Sequence, residues 1–292
     1  MNTNSNTYTI IYSIVLVVVV AAILAFVAEF LKPAQEKNVK LETITQVLTA
    51  AAQSDETVSI GEDTDVIKMY TDYIVDAFYA NGLGVKGKSM NIGKEDANAI
   101  EVSTTSDLKK QNDIMKKIEA GDTSLLESLE LPVYVFDING NKITVIPCYG
   151  AGLWGPIWGY VAVESDGKTI AGAIFDHKGE TPGLGAEIVT EPFYSMFPGK
   201  VFGEGNETFA VVKGGAKGAT NAVDAISGAT ITCEALGKSI NLWGKYYQPY
   251  LAANAEVTTE TVERNDSLPA IEDLSGIEAV VDSLALVKTE NK

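Results

Sequence analysis

The first 28 residues carry no charged side chain, and Ile10–Ala28 is almost wholly apolar. At 1.5 Å per residue these nineteen residues form a helix about 28 Å long, close to the hydrocarbon thickness of a bilayer. A cleaved leader is the competing reading. It asks for a basic start and a shorter apolar stretch, whereas Met1–Tyr8 holds no Lys or Arg. The pattern therefore predicts one retained transmembrane helix over residues 8–31, after a short N-terminus of residues 1–7. Lys32, Lys37 and Lys40 come after the span and nothing basic precedes it. A bare positive-inside count puts the C-terminal side in the cytoplasm, but that rule weakens for long translocated domains. From charge alone the side stays open.

The segment beyond the span is long enough for a proper core, the whole chain being 292 residues. The formal net charge is −17. An acidic chain without a basic stripe argues against a nucleic-acid partner, which needs its phosphates neutralised. One histidine and two cysteines cannot build a four-ligand zinc site or a four-cysteine iron–sulfur centre within one chain. Redox chemistry here would need an organic cofactor or a partner's ligands, and no metal or catalytic residue is assigned. Cys148 and Cys233 could pair in an oxidising compartment, but two residues make no framework, and free thiols are the favoured reading.

Along the chain, Pro33 is expected to end the membrane helix, with Leu41, Ile44, Val47 and Leu48 marking a short surface helix beyond it. Val66, Met69, Tyr70, Tyr73, Ile74 and Ala77 share one face at helical spacing, with Asp63 and Thr64 as caps. Residues 82–93 read as loop. Residues 106–120 read as a helix capped by Ser106 or Asp107 and stopped at Gly121. Strand patterns then take over. Val133–Phe136 and Lys142–Ile146 flank an Asn139-Gly140 turn, a strong hairpin signal. Trp158–Val163 and Thr169–Phe175 flank Asp166-Gly167, read as a second hairpin of the same type. Phe209–Val212 is a further strand, and Ile231, Ala235, Leu236, Ile240 and Trp243 mark a helix ending near Pro249. Consecutive hairpins packed with helices predict an α+β fold built on an antiparallel sheet. The expected layout is a helical part over 32–130, a sheet domain over 131–250, and an acidic, partly disordered tail over 251–292.

Three stretches carry candidate chemistry. The first is Asp224-Ala-Ile-Ser227-Gly228-Ala229-Thr230-Ile-Thr232, at an expected helix start. Unpaired N–H groups and the helix dipole favour a phosphate there, and the plainer alternative is an ordinary N-cap turn. The second is the glycine-rich loop holding Leu153 and Trp154, whose indole offers a flat face for an aromatic ring; the alternative is a sheet-edge loop. The third is Glu180-Thr181-Pro182-Gly183-Leu184-Gly185, a turn that presents a leucine. Its alternative is a long hairpin connection with His177 and Glu180 merely solvated.

Glu-Thr-Pro-Gly-Leu-Gly at 180–185 with Asp-Ala-Ile-Ser-Gly-Ala-Thr at 224–230, behind one N-terminal span, resembles the covalent-flavin subunits of two bacterial respiratory complexes. These are the C subunit of the sodium-translocating NADH:quinone reductase and the G subunit of the Rnf ferredoxin:NAD complex. The Gly-Leu-Trp loop at 152–154 looks more like the quinone-reductase protein. The resemblance covers roughly residues 8–250.

It implies FMN held by a phosphoester on the Thr230 hydroxyl, made from FAD by a magnesium-dependent flavin transferase. Asp224, Ser227, Gly228 and Ala229 would form the recognition sequence and phosphate cradle. Leu153, Trp154, Glu180, Thr181, Gly183 and Leu184 would line the cofactor. The resemblance further implies an inner-membrane, single-pass member of a six-subunit complex. Residues 1–7 would be cytoplasmic and the FMN-binding domain periplasmic. This protein would relay electrons one at a time between NADH and quinone sites on other subunits, while sodium is exported. The alternatives left open are the Rnf relative, with the same cofactor, and a membrane-anchored binding or scaffold domain with none.

Overall fold

The computed structural model describes residues 6–61, 63–202 and 208–255, all within one compact unit, Met1–Glu256. Helix α1, Asn6–Ala52, runs 47 residues without a break and contains Pro33. Its apolar N-terminal part is long enough to cross a membrane and has none of its surface buried in the protein. The expected stop at Pro33 is not observed. Proline removes one backbone donor and crowds the turn before it, at about 3 kcal/mol. Good helix formers on both sides and a firm anchor at the far end outweigh that cost. Ile44, Val47, Leu48, Ala50 and Ala51 are all 1% exposed or less, so the expected short surface helix is the buried end of α1. Leu41 stays exposed.

Helix α2 is shorter than the helical spacing predicts, Val66–Tyr73, and its cap is Asp65, which accepts the Lys68 N–H. At Ile74 the chain turns extended and becomes strand β1, Ile74–Ala80. Ile74 and Ala77 are buried in either geometry. Ile74, Val75, Phe78 and Tyr79 are β-branched or aromatic, which suits a strand, and β1 pairs along its length with a strand remote in sequence. Within the stretch read as loop lies β2, Lys86–Ser89, a short and fully exposed edge strand. Its two lysines are what a protected sheet edge carries.

Helix α3, Thr105–Glu119, starts one residue earlier than expected. The Asp107 carboxylate accepts both the N–H and the O–H of Thr104. Asp107→Ala is expected to cost about 1 kcal/mol, as loss of a helix cap does. A urea midpoint lower than that of the unchanged protein would register it, and an unmoved midpoint would deny the cap its role.

The main sheet continues with β3, Leu131–Ile138, β4, Asn141–Ala151, β5, Pro156–Val163, and β6, Ile170–His177. Its order is β2-β1-β3-β4-β5-β6, antiparallel throughout. Because β1 pairs with β3, the sheet crosses the division expected at residue 131, and segments 32–130 and 131–250 build one domain. The β3–β4 hairpin turns at Asn139-Gly140, both with positive φ, 52° and 91°, as Asn-Gly turns do. The β5–β6 connection is not of that type. Only Gly167 has positive φ, and Asp166 instead accepts from the Lys168 and Thr169 N–H groups. After the short helix α4, Glu191–Tyr194, come β7, Ala210–Val212, and β8, Ala222–Asp224, a parallel pair apart from the main sheet.

Helix α5, Thr230–Asn254, passes through Pro249 instead of stopping there, because Tyr250 and Leu251 are buried. The sheet is covered on both faces. One face packs Tyr134, Phe136 and Tyr160 against α1 and α2. The other packs Val133, Ile146, Cys148 and Phe175 against α3 and α5. The architecture is the expected α+β one, and residues 256–292, most of the acidic tail, lie outside the described residues.

Candidate functional site

Three segments meet where β4 hands over to β5, where β6 ends, and where α5 begins. After Ala151 the chain turns sharply, the Gly152 N–H donating to the Gly155 carbonyl at 2.8 Å. The turn leaves Leu153 exposed and Trp154 70% exposed. After β6, the Lys178 N–H returns to the Pro156 carbonyl at 2.9 Å and holds the second loop beside the first. Gly183 then takes φ +75°, its N–H donating to Glu187 Oε1, and Leu184 is left 40% exposed.

Glu180 joins these loops to α5. Its side chain is buried, with the residue only 4% exposed. Oε1 accepts the Trp154 N–H at 2.9 Å and Oε2 accepts the Thr232 hydroxyl at 2.7 Å, while its own N–H donates to His177 Nδ1. Burial pushes this carboxyl up. Hydrogen bonds from Thr232, Trp154 and Gly155, with His177 nearby, outweigh burial and hold it below the usual glutamate range. The solvated alternative for Glu180 is therefore overturned. Two glycines make room for it. A Cβ on Gly152 would lie 2.5 Å from Oε1, and one on Gly185 2.6 Å from both Oε2 and Thr232 Oγ1.

Thr230 is the first residue of α5, and its cap position is Ala229, whose side chain offers no acceptor. The ordinary N-cap turn is thus not what this motif makes. The first N–H groups of a helix have no acceptor within it, and here no side chain among the described residues is seen to cap them. Ser227 and Gly228 are exposed and Thr230 half-buried. Gly228 has φ +81°, and a Cβ there would meet Leu184 Cδ2 at 2.8 Å, so the presented leucine lies against the turn before Thr230. Beneath it, Cys233 Sγ accepts the Ile226 N–H at 3.4 Å. Both cysteines are free and buried. Burial pushes the Cys148 thiol up to about 12 and raises Cys233 as well, which leaves neither as a ready nucleophile.

Trp154, Glu180, Leu184, Gly228 and Thr230 are brought together. Leu153, Thr181 and Gly183 are exposed on the same loops. Asp224 faces elsewhere, accepting the Ala216 N–H of the preceding glycine-rich loop. Thr232 is a site residue to which the motifs give no role. Its position two residues into the first turn, facing the core, was the available signal.

The arrangement fits a phosphate-bearing planar cofactor. The start of α5 has no side-chain cap, a place that suits a phosphate, and the side chains of Trp154, Leu184 and Ile231 are exposed, surface that would suit a flat ring. Cavities of about 740 and 440 Å³ lie along α1, and neither is lined by any residue of 224–232.

Residues 152–245 match the family model described as FMN-binding domain. The chain is similar to the Na(+)-translocating NADH-quinone reductase C subunit of Neisseria meningitidis serogroup B, at 33% identity over 235 residues, 76% of this chain and 83% of that protein. The same subunit of Vibrio anguillarum is 28% identical over 225 residues, 72% of this chain and 83% of its own length. Among solved structures, the corresponding protein of Parabacteroides distasonis superposes with TM-score 0.57 at 32% identity, covering 76% of this chain and 96% of that one. NqrC of Shewanella oneidensis gives TM-score 0.56 at 27% identity, over 74% and 98%.

Proposed function

Because the chain belongs to the family of the Na(+)-translocating NADH-quinone reductase C subunit, we propose that Thr230 is the residue through which it carries FMN, by a phosphoester on the hydroxyl. The chain is an electron-transfer subunit of that translocase, with an FMN-binding domain, and its N-terminal apolar helix suits an inner-membrane anchor. The quinone-reductase name on these relatives favours it over the Rnf alternative.

The observation that carries the reading is the first turn of α5. Thr230 opens a helix whose cap position, Ala229, supplies no acceptor. Donors normally satisfied by a side chain have no such cap among the described residues and can take phosphate oxygens, and the helix dipole favours the negative charge. Thr230 would hold the FMN through its hydroxyl oxygen, the FMN phosphate coming from FAD with AMP as leaving group and the hydroxyl proton released. A separate flavin transferase catalyses this attachment with magnesium. Gly228 opens the turn to the incoming phosphate, and Trp154 and Leu184 cover apolar ring surface. When bound, FMN supplies acceptance and release of single electrons, and the protein supplies tethering and position. The domain works on the periplasmic side, beside the other members of a six-subunit complex.

The test is expression of the full chain with and without the transferase, with intact mass and in-gel fluorescence read after denaturation. The expected result is a fluorescent band only with the transferase, heavier by FMN less one water, with the label on the peptide holding Thr230. An unmodified mass beside an active control substrate would overturn the reading.

A further inference from the structure

Glu180 is buried and places both carboxylate oxygens on protein donors. Its partners lie on two separate segments. Trp154 belongs to the loop that presents the indole, and Thr232 to the first turn of α5. Glu180 itself begins the loop that carries Leu184. None of these partners is a lysine or arginine among the described residues. The glycines on either side are fitted to this one carboxylate, since a methyl group at Gly152 or Gly185 would displace it.

We propose that Glu180 is a positioning residue of the flavin seat, whose buried, ionised carboxylate locks the 152–155 and 181–184 loops onto the start of α5 and fixes one negative charge beside the ring. This rests on the covalent-flavin reading of Thr230. Such a residue acts in two ways, which separate by substitution. Geometry comes from the hydrogen bonds. A glutamine can keep them, accepting the Trp154 N–H on its oxygen and donating its amide to Thr232 Oγ1. Charge comes only from the carboxylate. A fixed negative charge beside the ring opposes the arrival of further electrons, so it lowers the midpoint potential of a flavin held there.

The experiment uses the full chain expressed with the flavin transferase, as the unchanged protein and as Glu180→Gln, Glu180→Ala and Gly185→Ala. Early-time labelling is read by intact mass, and midpoint potential by redox titration of the labelled protein. Glu180→Gln is expected to label within about twofold of the unchanged protein and to titrate at a higher potential. Glu180→Ala and Gly185→Ala are expected to label about tenfold more slowly, as loss of hydrogen bonds to a charged group would give. Circular dichroism checks folding. Should Glu180→Ala not fold, Gly185→Ala and Glu180→Gln decide the matter. Labelling of both alanine variants at the unchanged rate, or a Glu180→Gln potential equal to the parent's, would overturn the proposal. No label on the unchanged protein would instead remove the covalent-flavin reading and this inference with it.

Discussion

Replacing Thr230 with valine is expected to abolish covalent flavin completely while leaving the fold in place. Valine has nearly the shape of threonine and keeps its β-branch, so the first turn of α5 loses only the hydroxyl oxygen to which the phosphorus would bond. That hydroxyl makes no hydrogen bond among the described residues, and the residue is half-buried. The stability change should stay within about 0.5 kcal/mol, as at positions away from caps and cores. Intact mass and in-gel fluorescence should read zero label, and the unfolding midpoint should match that of the unchanged protein. Thr230→Ser retains an oxygen without the branch that narrows its rotamers, and should label more slowly. Thr232 is no substitute acceptor, because its hydroxyl is committed to Glu180. A label persisting on Thr230→Val would move the attachment to another residue, with exposed Ser227 the first to examine.

The largest loss of stability is expected from Trp243→Ala. Trp243 is wholly buried beneath the sheet, its ring stacks on Tyr247 at 6.4 Å between centroids, and Nε1–H donates to the Tyr149 carbonyl at 2.9 Å. Removing it empties the contact between α5 and β4, at about 3–5 kcal/mol for an aromatic-to-alanine change. For a domain of this size that is a fall in Tm of about 10 °C. Trp243→Phe keeps much of the volume and should lose substantially less. Thermal unfolding of the three proteins measures this, and equal midpoints for the parent and Trp243→Ala would show that α5 is held by other contacts. Because α5 also begins with Thr230, the alanine variant should label less completely at temperatures near its own midpoint.

The parts of the fold that were legible in the amino-acid order are those decided within a few residues. Asn139-Gly140 needs only its own backbone angles, and the β3–β4 hairpin is where it was expected. Helix α3 and the start of α5 fall within one residue of where they were expected. Ile74–Ala80 was misread because apolar residues at its positions satisfy a helical face and a strand alike. The partner that settles it, β3, is remote in sequence. Pro33 misled for the opposite reason. A strong local rule was outweighed by burial of Ile44–Ala51 many residues away. At the site, the motifs singled out Thr230, Trp154 and Leu184, which the structure sets at the start of α5 and on the two loops beside it. They could not show the burial of Glu180, since that arises only when three segments converge and two glycines leave space for it.

Helix α1 does not end where its apolar stretch does. From Ala28 to Ile44, where the helix enters the core, is sixteen residues, or about 24 Å of unbroken helix. A redox domain mounted on such a stalk cannot roam as it would on a flexible cord. Its permitted motions are rotation about the stalk and bending at Pro33, where one backbone hydrogen bond is missing. Electron partners of a domain so mounted would lie on an arc at nearly fixed height above the membrane, and if Thr230 carries the flavin, the azimuth of its face would select among them.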